Sequence, residues 1–574
     1  MSINVAQPSA GQPGWGLIFL LGVALNIVAG FLNWHAVLHG TLSDPDSYMR
    51  LERIWQGIQA GHLTNMVARD DSGAGVLVEW SRLLDALLLV MAAPLAPWLG
   101  WKSALFVAGV AFGPIAVGLL GLSIAFAAAP FAGRKFLLLA PIAAVLMPAL
   151  ANYALPGVVT HHVILLVPIA FCAGCLVRAR AGASHPAWLA GAAGGIAIWI
   201  TPETMPFILL LFGGFFLVWL GNQAAPIGVV GRAFALMLLA ACLLDPPHGG
   251  WLTPEIDRLS IVYVALGVDV ALLTWALGRI GPRPIAAIPL GGLCILAWLA
   301  LFPKVALGPF GLMSPADAKR FFGPIIEMQP IQSWPMAVEF LLPGVVALIY
   351  AGLSWQRRKH WIWLYTMAAL IFALVLALRF ARFSPFSSLM AAGLLPVMLT
   401  DITSALGEDT LGAMLSRIAL VALMVVAPRL AVFVPAGHPS PANHLTPCDL
   451  NLFSKNLAPY AGYIVLADVN DTPELLWRTN IITVGSLYQN GIAGFLRLRA
   501  AWRAPAGTQI PPAFRATHAQ LVLVCPAAGH SLLVQGAPDD SLLDSILAGH
   551  PPPWLKRVEP PTPGGYDLYR VAGG

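Results

Sequence analysis

Apolar runs of bilayer-spanning length recur along this chain from about residue 16 to about residue 435, divided by short polar or Pro/Gly breaks. A helix needs about 20 predominantly apolar residues to cross the hydrocarbon core of a bilayer. The runs predict helices at about 15–37, 83–99, 102–130, 136–154, 163–177, 186–200, 203–220, 232–244, 258–278, 284–302, 336–354, 361–378, 384–401 and 411–435. Of the 574 residues, 58% are hydrophobic and 10% charged, whereas a soluble domain carries about 25% charged residues. So few polar groups do not cover a water-facing surface. Soluble enzymes, nucleic-acid binders, disordered scaffolds and disulfide-framed modules are excluded, and lipid is the solvent for most of the chain.

Lys and Arg collect in cytoplasmic loops of membrane proteins. The candidates for such loops are Arg134-Lys135, Arg178 and Arg180, Arg232, Arg279 and Arg283, and Arg357-Arg358-Lys359. Alternation brings all of them to one side only if one run does not cross. The run at 83–99 opens on Arg82 and Asp85 and contains Pro94 and Pro97, so it is the one expected to be re-entrant or interfacial. The predicted fold class is an α-helical polytopic membrane protein of about 13 transmembrane helices, with a small external C-terminal α/β domain. The membrane part covers 1–436 and the external domain 437–574, with the N-terminus cytoplasmic. Loops 38–82, 155–162, 245–257 and 303–335 share the external side. Residues 1–15 lack Lys and Arg and the first run is long enough to span, so no cleavable signal peptide is expected.

The tail alternates strand-like runs (Tyr463–Ala467, Ile481–Val484, Leu521–Cys525) with a helical one, Ser541–Ala548. Cys172, Cys175, Cys242 and Cys294 lie in apolar runs and read as small core residues. Cys448 and Cys525 lie in the tail, where an oxidising compartment permits a disulfide.

Charges are scarce, so the external ones stand out. Asp44 and Asp46 flank Pro45 just after the first run, ahead of a helical stretch from Tyr48 to Gln59. They read equally as a helix cap with its dipole partner and as a site for a cationic group. In Glu79-Trp80-Ser81-Arg82 the simpler reading is a boundary Trp, with Arg82 pairing Asp85 one turn on. His161 and His162 adjoin at a helix start, where they serve structure, a metal or proton transfer. Glu327 is an isolated acid in an apolar part of the long loop, beyond the turn bearing Asp317, Lys319 and Arg320. Arg379 and Arg382 stand at an external helix end. They suit an anionic ligand such as a lipid phosphate, or they snorkel to headgroups.

Asp44-Pro45-Asp46-Ser47-Tyr48-Met49-Arg50 resembles the first acidic motif of the catalytic subunit of oligosaccharyltransferase and of the wider GT-C superfamily of membrane glycosyltransferases. Pro156 to His162 falls where the second motif is expected, and Glu327 where the family places a glutamate in its fifth external loop. Arg379 and Arg382 fall where the family contacts the donor's phosphate. Related uncharacterised bacterial membrane proteins carry D-P-D-x-x-x-R, H-W-S-R and P-G-x-x-D-H-H. Glu79 here replaces the His of the second motif, and Thr160 replaces the Asp of the third. No W-W-D-type acceptor-peptide motif occurs in the tail.

The resemblance implies a GT-C-type glycosyltransferase of EC class 2.4 in a bacterial inner membrane, with its C-terminal domain periplasmic. It would take sugar from a polyprenyl-phosphate-linked donor and pass it to a glycan, lipid or protein acceptor, with membrane lipid as a partner and no nucleic acid. Asp44, then Asp46, would be the proton acceptor, with Glu327 closing the catalytic set. Arg379 and Arg382 would hold the donor phosphate. Asp44, His161, His162 and Glu327 would hold a divalent cation, Mg or Mn. The competing class is a polytopic lipid-linked-glycan transporter or flippase. Within the enzyme class, an oligosaccharyltransferase or glycan ligase shares the scaffold.

Overall fold

The computed structural model describes residues 14–221, 224–434, 448–528, 537–558 and 564–572. Among them, nine helices are long and apolar enough to cross a membrane, or up to ten if one bent pair counts as a span. They are Trp101–Ala128, His161–Ala179, Pro202–Gly221, Ile227–Leu244, Ile261–Ile280, Trp334–Arg358, Trp361–Arg379, Ala381–Leu406 and Leu411–Ala431. The chain is a polytopic helical membrane protein.

The count falls short of thirteen because several apolar runs are broken. The first stops at Gly30 and resumes as Phe31–Leu38. A Cβ on Gly30 would lie 2.4 Å from Cδ of Pro156, so the break is where the 155–158 turn presses against the helix. What precedes it, Trp15–Ala29, spans only about 22 Å at 1.5 Å per residue. The run at 136–154 is split at Met147, before Pro148, and its helical piece is Leu139–Leu146. Ser184–Ile200 has 17 residues. Ala287–Leu301 bends by 46° into Pro303–Leu312. The run at 83–99 gives an 11-residue helix, Arg82–Ala92, and a turn at Ala96–Leu99, too short to span.

The expected boundary near 437 lies outside the described residues. Beyond it the chain builds a five-stranded sheet. Strands β1 (Met66–Val67) and β2 (Val76–Leu77) form a hairpin in the first loop, and the tail supplies β3 (Ile464–Leu466), β4 (Ile482–Thr483), β5 (Leu521–Val524), β6 (Leu555–Arg557) and β7 (Asp567–Val571). The sheet order is β4-β3-β5-β7-β6, with β3 parallel to both β4 and β5 and β7 antiparallel to β5 and β6. Alternating residues face opposite sides. Val465 and Leu521 enter one core with Phe453 and Leu475, while Leu466 and Val522 enter another with Phe495 and Trp554. Phe321 and Phe322 of the 303–335 loop join this second core.

Cys448 and Cys525 are disulfide-bonded, Cα to Cα 5.9 Å, tying the start of the described tail to the end of β5. Non-reducing mass spectrometry should recover their two peptides as one linked species, and both as free thiols would contradict the pairing.

The tail docks on the first loop through polar contacts. Arg69 donates to the carbonyls of Leu476, Thr479 and Ile481, at 2.6, 2.6 and 2.9 Å, closing the end of helix Thr472–Arg478. Tyr48 donates to Glu474 at 2.8 Å and accepts from Arg478 at 3.0 Å. Asp70 accepts from Thr483 at 2.9 Å and also from Ser486.

Candidate active site

Asp44 is the N-cap of helix Pro45–Ala60, and Pro45 at the first helical position supplies a pre-set φ. Its Oδ1 accepts from the Ser47 amide and its Oδ2 from the Ser47 hydroxyl, both at 2.8 Å. The Ser47 hydroxyl also accepts from the Val159 amide at 2.7 Å. The Ser43 amide donates to Gly157 O at 3.1 Å, and Arg50 Nε to Val159 O at 3.2 Å. The first acidic segment and the 156–162 turn are thereby zipped together, though more than a hundred residues separate them in sequence. Gly157 makes the approach possible with φ +85° and 3.0 Å between its Cβ position and Val37.

Beneath the acids lies a buried ion triad. Asp85 takes Arg50 at 3.0 Å on one oxygen and Arg53 at 2.6 Å on the other, with all three side chains 2% exposed or less. Arg50 also stacks on Trp80, guanidinium to ring centroid 4.3 Å. The expected Arg82–Asp85 pair does not form. Arg82 instead meets Asp245 through its backbone amide at 2.8 Å, and its guanidinium donates to Asn65 at 2.9 Å. Two arginines one turn apart on one helix outcompete a local partner. Three charges sum to one net positive charge, placed behind Asp44 and Asp46.

Arg382 forms the other side. Its Nε and Nη2 fork onto Glu203 at 2.9 and 2.7 Å, and its Nη1 donates to Glu327 at 2.7 Å. Nη2 also lies 3.4 Å from Nε2 of His161. Glu327 accepts from Tyr153 on its other oxygen at 3.0 Å. The rings of His161 and His162 stack at 4.4 Å, and His162 meets Tyr153 at 4.4 Å. His162 interacts electrostatically with Glu327, Arg382, Glu203 and Asp46. The loop carrying Glu327 is pinned on both sides. Phe321 packs on Phe495 at 5.3 Å, and the Ala381 amide donates to Gln329 O at 3.0 Å.

Several carboxyls outside the spans are shifted. Burial, then the negative charge of Asp46, pushes Asp44 up to about 7, against the pull of its Ser47 hydrogen bonds. Burial also raises Asp46, with a Tyr488 hydrogen bond and His162 acting the other way. Burial and the nearby Asp257 push Glu79 up to about 7. Glu327 goes down: burial works to raise it, but Arg382, His162 and the Tyr153 hydrogen bond together hold it below the ordinary value of 4.5.

The donor set for a divalent cation does not assemble. Among the described residues, no three His, Cys, Asp or Glu side chains come together in a metal-holding group. Asp44 is engaged with Ser47, Glu327 with Arg382 and Tyr153, and His161 faces a guanidinium. Thr160 supplies no carboxylate, and its hydroxyl donates to Tyr153 O at 3.4 Å. The Arg382 guanidinium stands against two of these ligand types, Glu327 and His161, and its like charge disfavours a cation there.

The structure thus brings Asp44, Asp46, His161, His162, Glu327 and Arg382 to one end of the helical bundle. Arg379 is left out: it is exposed, against the ring of Phe380 at 5.1 Å. Glu203, Tyr153, Glu79 and Tyr488 join the cluster without having been singled out as site residues by the sequence. Two of them carried a usable signal, Glu203 as an acid at the start of an apolar helix and Glu79 at the His position of the second motif.

A polytopic bundle with a terminal α/β region around this cluster is a fold also found in solved structures of an archaeal oligosaccharyltransferase. No protein-family model and no curated protein matches the chain. Solved structures do match. The archaeal oligosaccharyltransferase AglB from Archaeoglobus fulgidus, in complex with an inhibitory peptide and a dolichol-phosphate, aligns over 89% of this chain and 69% of its own, with TM-score 0.66 and 12% identity. The A. fulgidus enzyme in complex with Zn and sulfate aligns over 97% and 73%, with TM-score 0.65 and 13% identity. The form tethered to an acceptor peptide containing the NVT sequon gives 96% and 74%, TM-score 0.66 and 12% identity. At such identity the likeness is one of fold.

Proposed function

We propose that the chain is a GT-C-type glycosyltransferase that moves a sugar from a polyprenyl-phosphate-linked donor to an acceptor at the external face of a bacterial inner membrane. The observation that carries this reading is the convergence of Asp44, Asp46, Glu327 and Arg382, from three distant segments, at one end of the bundle beneath the tail. The fold likeness supports it. The disulfide between Cys448 and Cys525 supports an oxidising, external location for the tail. The opposite end carries the pairs Lys135–Glu408 and Arg358–Asp401, which suits a cytoplasmic side.

Chemically, the acceptor hydroxyl or amide attacks the anomeric carbon while Asp44 takes its proton. The bond from that carbon to the phosphate oxygen breaks, and the leaving polyprenyl phosphate keeps the electron pair. Arg382 holds that phosphate. Its Nη1 is occupied by Glu327 in this structure, so donor binding displaces Glu327, which then closes over the sugar and excludes water. The buried Arg50–Asp85–Arg53 triad supplies a fixed positive field behind the acids. No step runs through a metal, because the residues present do not fit one.

The cluster lies at helix ends and loops, whereas transporters place their charges near the bilayer midplane. That position favours transfer over flipping. Membranes containing the protein, incubated with a panel of radiolabelled polyprenyl-phosphate sugars, should move label from donor to acceptor for one member. Label that crosses the bilayer with its phosphate bond intact would establish the flippase instead.

A further inference from the structure

Tyr488 belongs to the tail, 442 residues from Asp46, yet its hydroxyl donates to Asp46 Oδ1 at 3.0 Å. Among the described residues, this is the one hydrogen bond made by the Asp46 side chain. The phenol is 4% exposed. Its ring meets Trp80 edge-on, centroids 5.2 Å apart at 89°. Trp80 in turn carries the Arg50 guanidinium. Tyr488 and Leu476 from the tail close a small apolar core with Met49, Val67, Val76, Val78 and Trp80 of the first loop. Three residues on, a Cβ at Gly491 would lie 3.0 Å from Val76, so the backbone comes as near to β2 as a glycine permits. The hydroxyl is therefore held from both sides and aimed at one carboxylate oxygen of Asp46.

The tail does not need this contact in order to dock. Tyr48 with Glu474 and Arg478, Arg69 with three carbonyls, and Asp70 with Thr483 and Ser486 already fix it. A neutral hydroxyl aimed at a site carboxylate is surplus to that purpose.

We propose that Tyr488 is a positioning residue, which orients Asp46 for sugar transfer, so that the C-terminal region completes the active site. This rests on the glycosyl-transfer reading above. Tyr488→Phe keeps the ring against Trp80 and deletes only the donor. It should lower kcat about tenfold, through misplacement of one reacting-site carboxylate, with the donor KM within about twofold. Thermal melting of the variant should match that of the wild type. In protein labelled with 3-fluorotyrosine, the resonance missing from Tyr488→Phe should move in Asp46→Asn.

An unchanged kcat, a loss carried by KM, or a resonance indifferent to Asp46→Asn overturns the assignment. A fall in kcat matched by loss of folded protein gives Tyr488 to the fold alone, and overturns it too. Wild-type protein that transfers no sugar fails the transfer reading itself, and an intact fluorine shift would then mark a purely structural contact.

Discussion

Asp44→Asn should lower sugar transfer by about 100- to 10,000-fold, the range in which a positioned general base contributes, while the protein still folds. Asparagine caps helices as well as aspartate does, and its one side-chain oxygen still accepts from the Ser47 amide, with only the bond from the Ser47 hydroxyl lost. What the substitution removes is the capacity to take a proton. Near-normal turnover would remove Asp44 from the mechanism. The wild-type rate should rise with pH through about 7, since burial and Asp46 push the Asp44 carboxyl up to about 7, and the base works only when ionised.

The same shift has a stability consequence of definite sign. Below the ordinary carboxylate value of 3.8, folded and unfolded chains both hold the proton. Between there and about 7, the folded chain holds it and the unfolded chain does not. Folding therefore binds a proton, and stability falls as pH rises through that window. Asparagine carries no such penalty. Asp44→Asn should melt above the wild type at about pH 8, with the gap narrowing toward about pH 4. A gap that widened on acidification would contradict the shift.

How much of this was legible in sequence varies by residue. Asp44 read equally as a cap and as a site residue, and in the structure it is a cap by geometry and a member of the acidic cluster by location. Scarcity of charge made it visible. The broken spans were hidden because hydropathy records which residues prefer lipid, not where Gly30 must yield to Pro156 or Pro148 must stop a helix. The expected Arg82–Asp85 pair failed for a similar reason. Sequence spacing scores partners one turn apart, whereas Asp85 met two arginines from a helix packed beside it. Arg379 and Arg382 are alike in composition and three residues apart, yet only the second turns toward Glu203 and Glu327. Tyr488 left no trace at all, since no periodicity reports a contact spanning 442 residues.

Arg382 carries the second large effect. Arg382→Ala should weaken donor binding by about 100-fold, within the 2–5 kcal/mol cost of truncating one partner of a hydrogen-bonded charge pair. Titration with a fluorescent polyprenyl-phosphate sugar reads it directly. The guanidinium now serves two carboxylates, forked onto Glu203 and singly bonded to Glu327. A phosphate has the same planar-fork preference for Arg as a carboxylate does. It replaces Glu327 at Nη1 without disturbing the fork on Glu203. Arg382→Lys keeps the charge but not the fork, and its affinity should fall between alanine and arginine. Glu327→Gln removes the charged competitor from Nη1. Donor should then bind at least as tightly as in the wild type, while turnover drops because the loop loses the carboxylate that closes over the sugar. Arg379→Ala, at an exposed position against Phe380, should leave donor affinity unchanged. Equal losses at Arg379 and Arg382 would mean that both arginines merely answer to lipid headgroups, and an unaltered affinity in Arg382→Ala would take the donor phosphate away from this end of the bundle.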